Sequence, residues 1–365
     1  LGMQASILLL MLFVLGFWLL MNFGAKKFDR YLLPVYPVLD LGAGLAYVAA
    51  AGWIWQRRSL QARGRGQLAF LALIIGLQAS LALPHYPYCL TYYNPLLGDV
   101  QAVINVMQIG RGEGANLAAQ YLNAQATIDN RSAPTAASAF PNGPFSYFYA
   151  GRTVPPTFWT LADYAVVYAQ DFQRRMPSPR QIAWFERLTP MTQIDLHGIE
   201  YARIYDLSAA PLPTFVTTWA QGETPQIRLN AYELTAGTVH PGESIRTTFY
   251  LENLAPIADD LNVLVRLVGA DGSEIARAEG WPWGAPTSDW PVNEIRPDGH
   301  TLPIPEGTAP GLYRLEIGFY EPASQATLPA IQSSTDEQLP DLVPLDFIQV
   351  GDLPTAPAVA LEPPY

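Results

Sequence analysis

Three long apolar runs lie at the start of the chain. Residues 5–23 and 67–83 carry no charge, and residues 31–55 carry only Asp40. Each run has close to the ~20 residues that an α-helix needs to cross the hydrocarbon core of a bilayer. The third run by itself also fits a buried helix of a soluble protein, but its place after two stronger runs favours a membrane span. We therefore expect three transmembrane helices within residues 1–83.

Beyond residue 83 the apolar stretches are shorter, and helical and strand periods alternate. The expected elements are a helix over 112–126, a buried strand over 162–170, a helix over 178–188 with Ser178 as its N-cap, and a hairpin over 192–207 that turns at His197-Gly198. This mixture predicts a small α/β domain over residues 84–207.

A different pattern follows a Pro-containing linker at residues 208–214. Short strand patterns recur with turn residues between them, in the order IRLNAYEL, SIRTTFYL, NVLVRLV, SEIARAE, GLYRLEIGFY and PLDFIQV. Their spacing predicts an all-β sandwich over residues 213–350, with Asp271-Gly272 as one hairpin turn and a Pro-rich tail at 351–365. The fold class is therefore multi-domain, with an α-helical membrane part, a small α/β outer domain and a C-terminal sandwich.

The formal charge changes sign between these parts. Of the chain's 21 basic and 32 acidic residues, seven and two lie in residues 1–83, which leaves 14 and 30 for residues 84–365. An acidic outer part excludes nucleic acid as a partner, because phosphate binding needs positive charge. Arginines concentrated in residues 56–66 place that connection in the cytoplasm by the positive-inside rule. We expect a multi-pass plasma-membrane protein with residues 84–365 outside the cytoplasm.

The stretch KKFDRYLLPVYP (26–37) then concentrates positive charge on the outer side. Lys26 and Lys27 are the only lysines of the chain, and Arg30 follows them closely. Beside a helix start stiffened by proline, three cations suit a phosphate or diphosphate headgroup. The alternative is that they snorkel to the bilayer interface without binding a specific ligand.

Asp40 lies within the second apolar run. A carboxylate at membrane depth is a candidate functional group by default. Its alternative role is to pair with a polar group on a helix outside this sequence. The residues alone leave both roles open.

The other motifs favour structural roles. GRGEG (110–114) lacks the complete spacing of a phosphate loop and predicts a turn that caps the following helix. The four histidines are isolated and Cys89 is the single cysteine, so neither a metal nor a cofactor is predicted. We expect Trp281, Trp283 and Trp290 to be exposed on the sandwich, where they stack on sugar rings or, as is more common, pack in turns and core.

Several of these segments together resemble one family. KKFDRYLLPVYPVLDLGAG resembles a segment late in the membrane region of family 39 glycosyltransferases, which include protein O-mannosyltransferases and lipid A aminoarabinose transferases of the GT-C fold. PHYPYCLTYYNPLLGD, IGRGEGANLAAQYLN, DYAVVYAQDFQRRMPSP and HGIEYARIYDL are similar to outer segments of its bacterial members. Arg111 departs from this pattern, since those relatives usually have tryptophan there.

The resemblance implies an integral membrane enzyme that transfers a hexosyl or related sugar from a polyprenyl-phosphate donor to an extracytoplasmic glycan, lipid or protein. It makes Lys26, Lys27, Arg30 and Tyr31 the donor-phosphate residues, where the cations stabilise the leaving phosphate. It also implies an acidic base in an early outer loop, which we expect upstream of Leu1 in a longer protein. The alternative is a non-enzymatic, membrane-anchored surface protein whose sandwich binds glycans or protein.

Overall fold

The computed structural model describes residues 3–23, 33–56, 59–93, 102, 104–105 and 107–352. They form two compact units that divide between Tyr92 and Tyr93. The first unit is helical, and the second contains three β-sheets. The coarse prediction of a chain with a helical part and a large sandwich-like part is therefore confirmed.

The helical unit consists of α1 (Met3–Asn22), α2 (Tyr36–Ile54) and α3 (Leu60–Ala82). All three helices are long and apolar enough to cross a membrane, as the apolar runs predicted. Most of their described side chains are exposed. Gly66 is a point of close approach, because a Cβ atom there would lie 2.4 Å from the Trp55 ring. Only a residue without a side chain lets this indole lie against α3.

The helix bounds differ from the predicted spans at two places. The α-helix of the second span begins at Tyr36, with Pro37 in its first turn, whereas the apolar run begins at Tyr31. Proline favours the first turn of a helix and disfavours its interior, so Pro34 and Pro37 set this start. Conversely, α3 begins seven positions before the third run, and Arg63 and Arg65 lie on the helix. Arginine is a good helix former, so the end of the apolar run is not the end of the helix.

The second unit begins with an α/β layer. Its helices are α4 (Ala115–Ile128), α5 (Ala169–Arg174) and α6 (Pro179–Arg187), and its strands are β1 (Thr135–Ser138), β2 (Arg152–Val154), β3 (Tyr164–Tyr168), β4 (Thr192–Leu196) and β5 (Ile199–Asp206). The sheet order is β2-β1-β3-β5-β4. Strands β1, β2 and β3 are parallel, while β5 runs antiparallel to both of its neighbours.

Local signals in this layer act as expected. The Ser178 hydroxyl accepts a hydrogen bond from the Gln181 backbone N–H, which caps the start of α6. The predicted hairpin is formed by β4 and β5, and both of its turn residues, His197 and Gly198, have positive φ. The short strands β1 and β2 were not predicted, because three or four small or polar residues carry too little periodicity.

The sandwich contains the remaining strands. They are β6 (Thr217–Gln221), β7 (Thr224–Leu234), β8 (Thr238–Val239), β9 (Ser244–Asn253), β10 (Asn262–Val268), β11 (Glu274–Gly280), β12 (Ile295–Pro303), β13 (Gly311–Tyr320), β14 (Ala330–Gln332), β15 (Gln338–Leu339) and β16 (Val343–Val350). One sheet has the order β11-β10-β13-β16-β8 and the other β12-β9-β7-β6-β14-β15. All six predicted strand segments lie in strands of these two sheets.

Strand β12 is the longest element that the pattern did not predict. Its sequence IRPDGHTLP contains Pro297, Gly299 and Pro303, which usually argue against a strand. The structure resolves the conflict by position, because β12 lies at an edge of its sheet and pairs only with β9 there. Proline is tolerated at an edge, where its missing N–H removes no hydrogen bond from a second neighbour.

One hydrophobic cluster joins the sandwich to the α/β layer. It contains Trp159 and Phe185 from the layer together with Trp219, Phe249 and Phe319 from the sandwich. Arg180 of α6 adds polar contacts across the same boundary, since its Nη1 donates to the carbonyl oxygens of Pro344 and Leu345 at 3.2 and 3.0 Å. The layer and the sandwich therefore share a continuous core.

Candidate functional site

The predicted donor-phosphate residues fall outside the described part of the chain. Lys26, Lys27, Arg30 and Tyr31 lie in the connection between the end of α1 at Asn22 and the start of α2 at Tyr36. Their role as a phosphate clamp stays a prediction. The helices on both sides of this connection are long and apolar enough to cross a membrane.

Asp40 is the predicted site residue that the structure does describe. It is the fifth residue of α2 and its side chain is exposed. At 1.5 Å per residue, Asp40 lies about 6 Å along the helix from Tyr36. The carboxylate is thus within two turns of the end of α2 that follows the cationic stretch, closer than a helix beginning at Tyr31 would place it.

The three tryptophans of the sandwich separate into two kinds. Trp281 and Trp283 are 48% and 45% exposed, in the loop between β11 and β12. Trp290, in the same loop, is buried, which corrects the expectation that all three are exposed. Its carbonyl oxygen accepts a hydrogen bond from Asn253 Nδ2 at 2.8 Å, so this residue anchors the loop to β9. Only Trp281 and Trp283 present their rings to a ligand.

Trp283 has an unusual backbone conformation. Its φ of +57° lies in the left-handed region, which costs a residue with a side chain about 1–3 kcal/mol. Its backbone N–H donates to Asp298 Oδ1 on β12 at 2.7 Å. The second carboxylate oxygen of Asp298 lies 2.7 Å from His300 Nε2, and both side chains are almost fully buried. This carboxylate holds the turn and its exposed ring in place.

A cation holds the Trp283 ring itself. The Arg296 guanidinium carbon lies 3.6 Å from the centre of the ring, and Arg296 Nη2 lies 3.1 Å from a Glu294 carboxylate oxygen. Arg296 and Asp298 pair with the buried Leu251 and Phe249 of β9, so their side chains share the inward side of β12. The loop that carries Trp281 and Trp283 therefore covers a row of polar side chains on the inward side of β12. We call this row, formed by Arg296, Asp298 and His300, the polar row.

This polar row was not among the sequence-predicted residues. Its signal is the alternation of Arg296, Asp298 and His300 along IRPDGHTLP, which places them on one side of a strand. The prolines and the glycine hid that signal, because they argued against a strand at all.

A groove of about 480 Å³ lies on the outer side of the other sandwich sheet. Glu316 of β13 is almost fully buried there between two arginines, accepting from Arg266 at 2.8 Å and from Arg314 at 2.6 Å. Asp341 on the rim accepts from the Thr327 hydroxyl. The lining holds two cations and two carboxylates, so it selects no strongly charged ligand.

The glycine-rich turn lies directly before α4, as its motif predicted. Gly114 is the N-terminal flanking residue of the helix with φ +74°, and a Cβ atom there would lie 2.7 Å from Ile194. Glycine is required both by the left-handed backbone and by the contact with β4. The Glu113 carboxylate accepts from the Arg111 backbone N–H at 2.5 Å, so this amide of the turn is already hydrogen-bonded within the turn itself.

Asp171 is a titratable group at the carboxyl end of β3. It accepts a hydrogen bond from the Tyr168 backbone N–H at 3.0 Å and so caps α5. Burial raises the pKa of its carboxyl to about 6, although the hydrogen bond from Tyr168 acts in the opposite direction. Among the residues that the structure describes, no three His, Cys, Asp or Glu side chains are grouped to hold a metal ion.

Comparison with known proteins leaves this fold without an assigned family. No family model matches the chain. No curated protein matches it either. Among solved structures, the C-terminal domain of Wzt is similar to part of this chain, with 13% identity and a TM-score of 0.28, over 40% of this chain and 85% of that one.

Two further solved structures show the same weak likeness. The Pseudomonas fluorescens alkylpurine DNA glycosylase AlkC matches with 14% identity and a TM-score of 0.23, over 34% of this chain and 30% of its own. A Bacteroides uniformis β-glucuronidase matches with 11% identity and a TM-score of 0.21, over 36% of this chain and 14% of its own. At these TM-scores, the likeness carries no information about the function of this chain.

Proposed function

We propose that this chain is the C-terminal part of a membrane glycosyltransferase of the GT-C type. In this proposal the enzyme transfers a hexosyl or related sugar from a polyprenyl-phosphate donor to an acceptor outside the cytoplasm. The observation that supports it most is the placement of the only two lysines and Arg30 between two apolar, span-length helices. The resemblance of KKFDRYLLPVYP and the outer segments to family 39 glycosyltransferases supports the same function.

The chemistry assigned to the cationic stretch follows from the donor. A polyprenyl chain lies in the bilayer and places its phosphate at the interface, where Lys26, Lys27 and Arg30 would meet it. Three cations stabilise the charge that develops on the phosphate as the sugar leaves, and Tyr31 adds a hydroxyl beside them. Asp40 follows on α2, within reach of the interface by its position along that helix.

The membrane orientation is part of the proposal. Arg57, Arg58, Arg63 and Arg65 lie in or near the connection between α2 and α3, and cytoplasmic connections carry an excess of such residues. The first connection and residues 84–365 are then on the outer side of a plasma membrane. A polyprenyl-linked sugar and its acceptor would meet there.

Donor binding tests this function on the chain as it exists. The chain is reconstituted in zwitterionic vesicles and titrated with polyprenyl-phosphate mannose and, separately, polyprenyl-phosphate glucose. The triple variant Lys26→Ala/Lys27→Ala/Arg30→Ala should weaken binding about 100-fold, since each cation near the surface contributes about 1 kcal/mol toward an anionic headgroup. Binding is the readout because the resemblance places the catalytic base outside this sequence.

A matched variant separates a clamp from general attraction. Arg57→Ala/Arg58→Ala/Arg63→Ala removes the same number of cations from the second connection and the first turn of α3, and it should leave donor affinity unchanged. Equal weakening by both triple variants would show that the cations attract anionic lipid without specific recognition. Unchanged affinity in the Lys26/Lys27/Arg30 variant would reject the phosphate role and favour the alternative of a non-enzymatic surface protein.

A further inference from the structure

The exposed apolar side chains of the sandwich are confined to one loop. Within residues 213–352, all of which the structure describes, the large hydrophobic side chains that are exposed are Trp281, Trp283 and Val292. All three belong to the connection between β11 and β12. Scattered apolar residues on a surface are ordinary, but a local concentration marks a binding surface. This loop is therefore the candidate binding surface of the sandwich.

The loop is also built to present its rings. Asp298 fixes the backbone of Trp283 through a 2.7 Å hydrogen bond, and Arg296 stacks on the indole. Backbone strain of this kind persists where the surrounding structure enforces it, and it is concentrated at binding and catalytic sites. A tryptophan needed only to fill space would not require a left-handed backbone and nearly half of its surface in solvent.

The charge around the rings indicates the ligand class. Around the rings, the carboxylates of Glu279 and Glu294 pair with the guanidinium groups of Arg277 and Arg296. The Asp298 carboxylate is almost fully buried beside His300, and Asp289 is exposed. This surface has no excess of positive charge to attract the anionic headgroups of a bilayer or the phosphates of nucleic acid. Carboxylates accept hydrogen bonds from hydroxyl groups, and tryptophan faces offer a flat apolar surface. A neutral saccharide presents both complementary features, hydroxyl donors and apolar ring faces.

We propose that Trp281 and Trp283 form a binding platform for the pyranose rings of a neutral glycan. The faces of the two indoles contact the apolar C–H faces of the sugar, and the hydroxyl groups of the sugar donate hydrogen bonds to exposed carboxylates such as Glu294. Arg296 and Asp298 are positioning residues that hold the Trp283 ring and its turn. The platform does not depend on the donor site proposed above, since it lies in the sandwich and uses none of the same residues.

Glycan titrations of the whole chain in zwitterionic nanodiscs test this proposal. The probes are mannotriose and the N-acetylglucosamine trimer as neutral saccharides, the galacturonic acid trimer as an acidic one, and phosphatidylglycerol vesicles as an anionic surface. The wild type should bind at least one neutral trisaccharide and prefer it to the acidic one. Trp281→Ala should weaken that binding about tenfold, as loss of an aromatic stacking contact predicts.

Two substitutions of Trp283 separate binding from folding. Trp283→Gly removes the ring but accepts the left-handed backbone without steric cost, so the variant should unfold at the wild-type midpoint and lose binding about tenfold. Trp283→Phe retains an aromatic face and should bind within about threefold of the wild type. Thr301→Ala, at an exposed position of β12 outside the loop, is the control and should bind as the wild type does.

Three outcomes would overturn the platform. The first is that neither neutral trisaccharide binds the wild type at millimolar concentration. The second is that Trp281→Ala and Trp283→Gly bind it unchanged. The third is that phosphatidylglycerol vesicles bind the chain in a manner that needs the two tryptophans, which would make the loop a membrane contact. Loss of donor binding in the Lys26/Lys27/Arg30 variant has no bearing on these readouts, so the two proposals fail separately.

Discussion

The helical unit and the sandwich place their apolar side chains in opposite ways. On α1 and α3, residues such as Leu8 and Leu73 are 59% and 66% exposed. In the sandwich, large residues such as Trp219, Phe249 and Phe319 are completely buried in one cluster. The sandwich buries apolar surface against itself, whereas the described helices leave most of theirs exposed, as expected of helices long and apolar enough to cross a membrane.

The difference also explains why the loop at residues 281–292 stands out. Exposed tryptophan and valine would carry no information in the helical unit, where most of the described apolar residues are exposed. They are informative in a sandwich that buries its other large apolar side chains. An exposed apolar side chain is therefore informative only in a region where most other large apolar side chains are buried.

The largest expected effect is the loss of stability when a buried apolar side chain of the sandwich is removed, compared with an exposed one of the helical unit. Phe319→Ala leaves a cavity beside Trp219, whose ring centre lies 4.9 Å away, and should lower the free energy of unfolding by about 3–5 kcal/mol. Leu71→Ala, on a helix that leaves this side chain exposed, should change it by less than about 1 kcal/mol. Chemical unfolding of the chain in nanodiscs, followed by tryptophan fluorescence, measures both. Equal losses would show that the helical unit has a core of the same kind.

An intermediate loss of unfolding free energy is expected when the charge of Glu316, on the outer face of the sandwich, is removed. Glu316→Gln removes a nearly buried carboxylate from between two arginines and should cost about 1–3 kcal/mol, less than a deeply buried triad because Arg266 and Arg314 are partly exposed. Glu279→Gln is the control, since its pair with Arg277 is solvent-exposed and should contribute less than about 1 kcal/mol. Denaturant midpoints of the two variants give the comparison, and a similar small loss in both would assign no special stability to the groove.

The smallest effect is a pH dependence in the α/β layer. The pKa of the Asp171 carboxyl is raised from 3.8 to about 6, so the folded state binds this proton more tightly than the unfolded chain. The stabilising contribution is complete below pH 3.8 and is lost as pH rises through about 6. Relative to Asp171→Asn, the wild type should therefore lose about 1–2 kcal/mol of unfolding free energy across this range.

The control for that pH dependence is an exposed carboxylate of the same layer. Asp195→Asn should follow the wild-type profile between pH 4 and pH 7. Unfolding by urea at four pH values supplies the data. A constant difference between the wild type and Asp171→Asn at all four would contradict the raised pKa.

Much of the fold could be predicted because its signals are local. Apolar length identified the three helices, the Ser178 cap identified α6, and Asp271-Gly272 identified the hairpin of β10 and β11. The elements that were missed depend on distant neighbours. Strand β12 exists despite Pro297 because β9 pairs with one of its edges, and β1 is ordered between β2 and β3.

The sites divide in the same manner. Trp281 and Trp283 could be named from residue type, but the burial of Trp290 could not, because it depends on where the loop returns to β9. Arg296, Asp298 and His300 were not predicted, because their grouping needs a strand and the prolines of IRPDGHTLP argue against one. The proposed phosphate residues remain a prediction from sequence, since they lie outside the described ranges.

The core shared between the α/β layer and the sandwich also constrains the order of synthesis. Trp159 and Phe185 leave the ribosome before Trp219, Phe249 and Phe319, the side chains that complete their cluster. At typical synthesis rates, the sandwich follows the α/β layer by roughly 10–30 s. During that interval the nascent layer displays an unfinished apolar surface, and a holding chaperone on the side where it emerges would shield it until β16 arrives.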